Sequence, residues 1–234
     1  MLLRKFGKKE HLEQLKKEII HFSTLETFQK DPTSYRGDRL DGKILLDSRK
    51  PFIINGQDIS SYIKEAAISY ETDCPQLSFS AAMLSMKNCH KQSNDTYTIN
   101  DSFVQEMQQF GDYFLLFNAL PFIEALTNEF VRTQCLFEYH PLTYIDKSNH
   151  QLVQEHFARM SDEEKRFGHL FIKDTANSYP LQNEWRFITF DVHNCYHVLD
   201  DRGTNINTDF STQMPVMETT CLHTLQCSEE FLFY

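Results

Sequence analysis

Gln182, Glu184 and Arg186 stand at alternate positions in Tyr179-Pro-Leu-Gln-Asn-Glu-Trp-Arg-Phe187, a stretch that runs on into Ile188-Thr-Phe190 and holds the only tryptophan of the chain. After the proline, Trp185, Phe187, Ile188 and Phe190 favour a strand. Side chains alternate across a strand, so the spacing predicts an amide, a carboxylate and a guanidinium on one face, with Trp185 and Phe187 on the other. One face then packs a core while the other presents a site. A preorganised carboxylate can stabilise positive charge that develops in a reaction, and Glu184 is the candidate for it, with the Gln182 amide beside it. The plain alternative is a solvated strand face on which Glu184 and Arg186 pair with neighbours, since polar alternation on a half-buried strand is common without chemistry.

The elements that must position these residues are read from periodicity. Leu2 to Phe6 is a short strand ended by Gly7; Lys9 to Ile19 has helical spacing at Leu12, Leu15 and Ile19; Ile20 to Ser23 is a second strand. Thr24 to Phe28 makes one helical turn, stopped by Asp31-Pro32, and residues 33–43 form a polar loop with turn signals at Arg36-Gly-Asp38 and Asp41-Gly42. Short strands are expected around Pro51, and Asp58 to Tyr70 would open a helix. Leu77 to Met86 is apolar and mixed, and residues 87–101 read as the clearest surface loop. Asp101 or Ser102 caps a helix through Phe110, Asp112 to Phe117 is a buried strand, and Asn118 caps a helix carrying Phe122, Ile123, Leu126 and Phe130. Gln134 to Tyr139, His169 to Ile172 and Trp185 to Val192 are further strands. Val153 to Phe167 is helical, with a capping-box restart at Ser161-Asp-Glu-Glu164. The pattern is that of a single α+β domain over residues 1–234, with mixed or antiparallel strands and inserted helices: a main body to residue 202 and an irregular extension from 203.

The 234 residues suffice for one large domain with a strongly aromatic core of 20 Phe and 10 Tyr. A net charge of −10 opposes loose electrostatic attachment to nucleic acid or anionic membrane. The basic residues crowd into the first 50 positions, notably Arg36, Arg39, Lys43, Arg49 and Lys50, which would hold phosphates or simply form a solvated helix face and charged loop. The six cysteines show no paired spacing, and Met1-Leu-Leu runs straight into Arg4-Lys5 without a leader pattern, so free thiols and a cytoplasmic location are expected. The longest apolar run, Tyr113 to Ile123, is broken by Asn118 and is too short to span a bilayer. His193-Asn-Cys195-Tyr-His197 has metal-binding residue types on one face if extended, but a closed site needs a fourth ligand, which would have to come from Asp200 or Asp201. An incidental histidine strand is preferred, and no metal site is assigned.

Arg4 on the first strand, His21-Phe22-Ser23-Thr24, Phe28-x-x-Asp31-Pro32, Phe137-Glu-Tyr139, Lys173 and Gln182-x-Glu184-Trp185-Arg186 together resemble, in order, an uncharacterised bacterial family of unknown function. Its members carry Tyr-Arg, aromatic-Ser, Asn-Asp-Pro and Glu-x-Glu-Trp-Arg segments. Here Lys30 replaces the Asn, Gln182 the first Glu, and Tyr179 a Trp. The same anchors are similar to those of mono-ADP-ribosyltransferases: an Arg on the first strand, an aromatic-Ser-Thr segment, and a Gln/Glu-x-Glu strand. This resemblance implies NAD as substrate and transfer to a protein or nucleic acid. It further implies a bacterial or phage-related toxin or effector, with a possible inhibitor protein as partner. It places Arg4 on a cofactor phosphate, Phe22, Ser23 and Thr24 in cofactor binding, Glu184 at the ribose and Gln182 beside the nucleophile. Two alternatives stand beside it: a non-catalytic interaction protein docking through its apolar tail, Phe231 to Tyr234, and a nucleotide-binding or nucleotide-cleaving enzyme using the same face.

Overall fold

The structure, a computed structural model, describes residues 1–45, 51, 53–62, 67–69, 74–93, 95–175, 179–196 and 203–226. The chain opens with β1 (Leu2–Gly7), α1 (Lys9–Leu15), β2 (Lys17–Thr24) and α2 (Leu25–Lys30). Four short strands follow, β3 (Lys43–Leu45), β4 (Ile53–Ile54), β5 (Gln57–Asp58) and β6 (Ala67–Ser69), pairing as β3 with β6 and β4 with β5. The middle of the chain contributes β7 (Gln76–Met83), β8 (Cys89–Ser93), β9 (Thr96–Ile99), α3 (Asp101–Gln108), β10 (Tyr113–Asn118) and α4 (Ala119–Arg132). Then come β11 (Leu136–Pro141), β12 (Thr143–Ile145), α5 (His150–Ala158), α6 (Asp162–Gly168), β13 (Ile172–Asp174), α7 (Tyr179–Gln182) and β14 (Glu184–Phe190). The described chain closes with β15 (Gly203–Ser211), β16 (Val216–Glu218) and β17 (Thr224–Gln226).

This is an α+β fold organised on one eight-stranded sheet of antiparallel pairs in the order β11-β14-β7-β1-β10-β16, with β2 joining β7 to β15. A separate parallel pair, β12 with β13, makes the strand content mixed. No helix among the described residues is long and apolar enough to cross a membrane.

One sheet face is aromatic. Phe22, Phe79, Phe130 and Phe187 meet with ring centroids 5.3 to 6.2 Å apart, and Trp185 joins them through Phe122 and Phe187. Helix α4 covers this face. It buries Phe122, Ala125, Leu126 and Phe130, a helical repeat, and the Asn118 side chain caps its start by accepting from the Leu120 amide at 3.1 Å. On the opposite face two apolar clusters stand apart. One gathers Phe6, Ala82, Phe103 and Phe114; the other gathers Leu25, Leu170, Ile188 and Phe190. Strand alternation puts Arg4, Ser78, Ser80, Glu184 and Arg186 on this second face, between the clusters.

Pairing along β7 is interrupted. On its edge away from β14, Ser78 and Leu77 pair with Ser23 and Thr24 of β2, while Ala82 and Met83 pair with Arg4 and Leu3 of β1. Between these contacts the two strands diverge, and at Ser80 neither is in register with β7. A gap therefore opens in the middle of the sheet.

Several expectations are corrected. Helix α1 stops at Leu15 rather than Ile19, and β2 begins at Lys17; Glu18, its second residue, stands at φ 77°, and Ile20 is fully buried. Within Asp58–Tyr70 the described residues give strand ends and a 3₁₀ turn at Ser60–Tyr62 instead of a helix. Residues 87–101 hold the β8–β9 hairpin, anchored by buried Cys89, Tyr97 and Ile99. His169 to Phe171 is a 3₁₀ turn, and the strand begins at Ile172. Residues 203–226 are no irregular extension, since β15 pairs with β2 and β16 with β10. Gly203 is required there: at φ 149°, a Cβ would lie 2.0 Å from the Phe22 carbonyl oxygen. The tail, Phe231 to Tyr234, lies outside the described residues.

Candidate functional site

The gap between β1 and β2 leads into a cavity of about 340 Å³. Arg4, Ser23, Gln182 and Glu184, drawn from the two ends of the sequence, all line it. Phe22 and Thr24 do not. Phe22 points through the sheet into the aromatic core, and the Thr24 hydroxyl caps α2 by accepting from the Thr27 amide at 3.3 Å. Alternation along β2 explains the division: Phe22 and Thr24 share one face, His21 and Ser23 the other.

Gln182 does not belong to the strand. Tyr179–Gln182 is a single helical turn, and Asn183, at φ 45°, redirects the chain so that β14 begins at Glu184. The turn nevertheless swings the amide back beside the carboxylate. Lys173 Nζ, from β13, donates to Gln182 Oε1 at 3.2 Å and to Glu184 Oε2 at 2.9 Å.

Glu184 is buried rather than solvated, with 7% of its surface exposed. Its Oε1 accepts from Ser80 Oγ at 2.5 Å and from Arg186 Nε and Nη2 at 3.0 and 2.9 Å. Arg186 in turn grips Asp41 through two bonds, at 2.7 and 2.9 Å. At the other end the Gln182 amide donates to Glu106 Oε1 at 3.0 Å and to the Tyr35 carbonyl at 2.7 Å. A continuous buried chain thus runs Glu106–Gln182–Lys173–Glu184–Arg186–Asp41. It draws together α3, α7, β13, β14 and the loop before β3. Burial favours the neutral acid, but Arg186, Lys173 and the Ser80 hydroxyl outweigh it and hold Glu184 well below the usual carboxylate range. Arg186 is likewise held charged: burial opposes this, and Asp41 and Glu184 overcome it. Tyr144, whose hydroxyl accepts the Glu184 amide N–H at 2.9 Å, is pushed up by burial and by the adjacent carboxylate.

The cavity mouth has a different character. Lys8, His11, His21 and Arg36 line it with exposed side chains, and the lining carboxylates, Asp41 and Glu184, are both committed in the floor. Lys5 lies between rim and floor. Its Nζ donates to the Ser80 carbonyl at 2.5 Å, where β7 lacks a strand partner on the edge away from β14, and sits 4.5 Å from the Phe79 ring centroid. Burial lowers Lys5 to about 8; Glu184 opposes the fall and Arg36 adds to it. Arg4 is fully buried, its guanidinium about 6 Å from the rings of Phe103 and Phe114.

Comparison with family models, with curated proteins and with solved structures returned no match, leaving the geometry as the ground for any functional reading. Among the described residues no group of three or more His, Cys, Asp or Glu is placed to hold a metal ion. His193 and Cys195 lie in a turn after β14, organised by buried Asp191, which accepts the Cys195 and Tyr196 amides at 2.8 Å each. His197, Asp200 and Asp201 lie outside the described residues.

Asp41, Ser80, Lys5 and Tyr144 are site residues that motif reading passed over. A signal existed for Ser80: Gln76-Leu-Ser-Phe-Ser-Ala alternates polar and apolar at strand spacing. Asp41 sits in an Asp-Gly turn and carries no local sign of its distant arginine.

Proposed function

We propose that this chain is a mono-ADP-ribosyltransferase-like enzyme that binds NAD in the cavity between β1 and β2 and transfers its ADP-ribosyl group to a macromolecule. The observation that carries this reading is the convergence of Arg4, Ser23 and Glu184 on one cavity with a basic mouth and a carboxylate floor. An acidic protein with a cation-lined mouth selects an anionic ligand locally, whatever its net charge. Glu184 is kept ionised by Arg186 and Lys173, the state needed to stabilise an oxocarbenium-like ribose and to hold its hydroxyl. In the step assigned to it, the nicotinamide–ribose bond breaks and nicotinamide leaves with the electron pair. The acceptor nucleophile bonds to the ribose carbon and gives up its proton to solvent. Gln182, fixed by Lys173, Glu106 and the Tyr35 carbonyl, lies next to Glu184 to orient that nucleophile.

The test is incubation of the purified chain with adenine-labelled NAD and cell extract. Label on protein or nucleic acid signifies transfer, free labelled ADP-ribose signifies hydrolysis, and Glu184→Gln should abolish either. If NAD is not consumed, or Glu184→Gln consumes it as the wild type does, the catalytic assignment fails.

A second reading is favoured by one observation. Both Glu184 oxygens are already engaged, by Ser80 and Arg186 on one side and Lys173 on the other. So satisfied a carboxylate serves equally in a module that binds a nucleotide without cleaving it. Saturable NAD binding without release of nicotinamide would select this reading.

A further inference from the structure

We propose that Lys5, His21, His11 and Arg36 form a phosphoryl-binding subsite at the gap between β1 and β2, and that these residues, rather than Arg4, receive the phosphate or diphosphate of the ligand. The proposal deepens the nucleotide reading of the same cavity and rests on it only for the identity of the remainder of the ligand.

Arg4 is placed poorly for the task. It is 1% exposed and stands over Phe103 and Phe114, on the side of the Phe6 cluster. The neighbouring residue on β1, Lys5, projects to the opposite face by strand alternation and reaches across the break to Ser80. From the other strand His21 lines the same cavity. Its Nδ1 bonds to Asn205 Oδ1 at 3.0 Å, so with that oxygen as acceptor Nδ1 carries the proton, and Nε2 becomes a second donor when the ring is protonated.

Among the described residues the rim cations repel one another. Lys5 feels Arg36 unfavourably, and His21 feels both Lys5 and His11 unfavourably. Glu184 pulls Lys5 the other way, but it is shared with Arg186 and Lys173 in the floor. Partial desolvation of its ring and these like charges lower His21 from its ordinary value, with Asn205 opposing. A multivalent anion at this point relieves every one of these repulsions and gains charge-assisted hydrogen bonds. Phosphate fits because it offers several acceptor oxygens to donors from two strands, helix α1 and the loop after α2.

Inorganic pyrophosphate, titrated calorimetrically into the full chain, is the probe. Saturable binding is expected, weakened roughly tenfold or more by His21→Gln, by Arg36→Gln and by Lys5→Met, with Lys87→Met in the distant β8–β9 region unchanged. Affinity should also fall as pH rises through the Lys5 value of about 8. Circular dichroism checks each variant. Should Lys5→Met lose its fold through the missing Ser80 bond, the two exposed positions, His21 and Arg36, carry the test alone. Absence of pyrophosphate binding by the wild type, or equal binding by His21→Gln and Arg36→Gln, overturns the subsite. If pyrophosphate binds through these residues while NAD is never consumed, the transferase reading falls and the subsite stands. If NAD is consumed and His21→Gln and Arg36→Gln leave KM unchanged, the subsite falls and the transferase reading stands.

Discussion

Glu184→Gln tests the architectural work of this carboxylate. The substitution keeps shape and volume, and the amide oxygen can still accept from Ser80 and Arg186. The amide nitrogen, however, presents N–H groups towards Lys173 Nζ, which now stands 2.9 Å away across the former ion pair. Two buried cations lose a shared counter-ion, although Asp41 still holds Arg186 through two bonds. Breaking a buried pair from one side costs about 3–5 kcal/mol, and the surviving Asp41 contact puts the expectation near the lower end, about 3 kcal/mol. For a domain of this size that is a drop in Tm of roughly 6–12 °C. The pH dependence gives a second readout. The Glu184 pKa is depressed in the folded state, so its stabilisation is complete above the ordinary glutamate value of about 4.3 and is lost as pH falls below it. The Tm gap between wild type and variant should be constant around neutrality and should close on acidification. Adding Lys173→Met to Glu184→Gln removes one stranded cation and should recover part of the loss, a coupling of about 0.5–3 kcal/mol. A Tm within about a degree of wild type at neutral pH, or a gap that widens in acid, would refute the argument that Glu184 neutralises this cluster.

Gly203→Ala should cost about 1–3 kcal/mol in a denaturant titration, because its Cβ collides with the Phe22 carbonyl where β15 crosses β2; unchanged stability would mean the strands part freely there. Phe130→Ala should cost about 3–5 kcal/mol by the same measurement, since the ring is fully buried among Phe22, Phe137 and Phe187. Ser161→Ala should cost about 1 kcal/mol, because Ser161 and Glu164 cap α6 reciprocally at 2.7 and 3.2 Å. Burial, with Lys147 nearby, holds His169 down at about 4, so the folded chain keeps the ring neutral where the unfolded chain protonates it. Its contribution is complete above about 6.5 and falls away as pH drops towards about 4; urea midpoints over that window should slope less in His169→Gln than in wild type.

What the sequence disclosed follows from how far each signal reaches along the chain. Alternation in Trp185-Arg-Phe-Ile told which side chains face the aromatic core, and that assignment holds because both neighbours of β14 keep it in register from Trp185 to Phe190. Local caps were equally legible, as at Asn118 and Ser161. Alternation alone places Gln182 on the strand; the turn at Asn183, a residue type that tolerates positive φ and here bonds through its side chain to Met83 and Ser85, takes it off. The β8–β9 hairpin was hidden by polar composition: its outward residues are polar, and only Cys89, Tyr97 and Ile99 turn inward. The polar look of residues after 203 concealed β15 in the same way, since Ile206 and Phe210 are its buried contacts and the residues between them are polar. Asp41–Arg186 joins positions 145 residues apart, beyond the reach of any periodicity.

The division of charge within the cavity bears on how a ligand would be held. Lys173 and Arg186, which flank Glu184 in the floor, each have a carboxylate partner within 3 Å, so this part of the floor is a finished structure that needs no ligand to be stable. Among the described residues the rim cations have no cavity-lining carboxylate beyond Asp41 and Glu184, which the floor already uses. Opposite sign is therefore wanted at the mouth and not at the base. A ligand with a strongly anionic end and an uncharged or cationic end has one orientation that suits both, with its anion at the gap between β1 and β2 and its electron-poor end over Glu184. Reversing such a ligand would set its phosphates against Glu184 and Asp41 in a buried, low-dielectric floor, where like charges are most costly. Orientation is thus dictated by where the carboxylates are spent, a conclusion that requires only the ion pairs of the floor and the exposed cations of the rim.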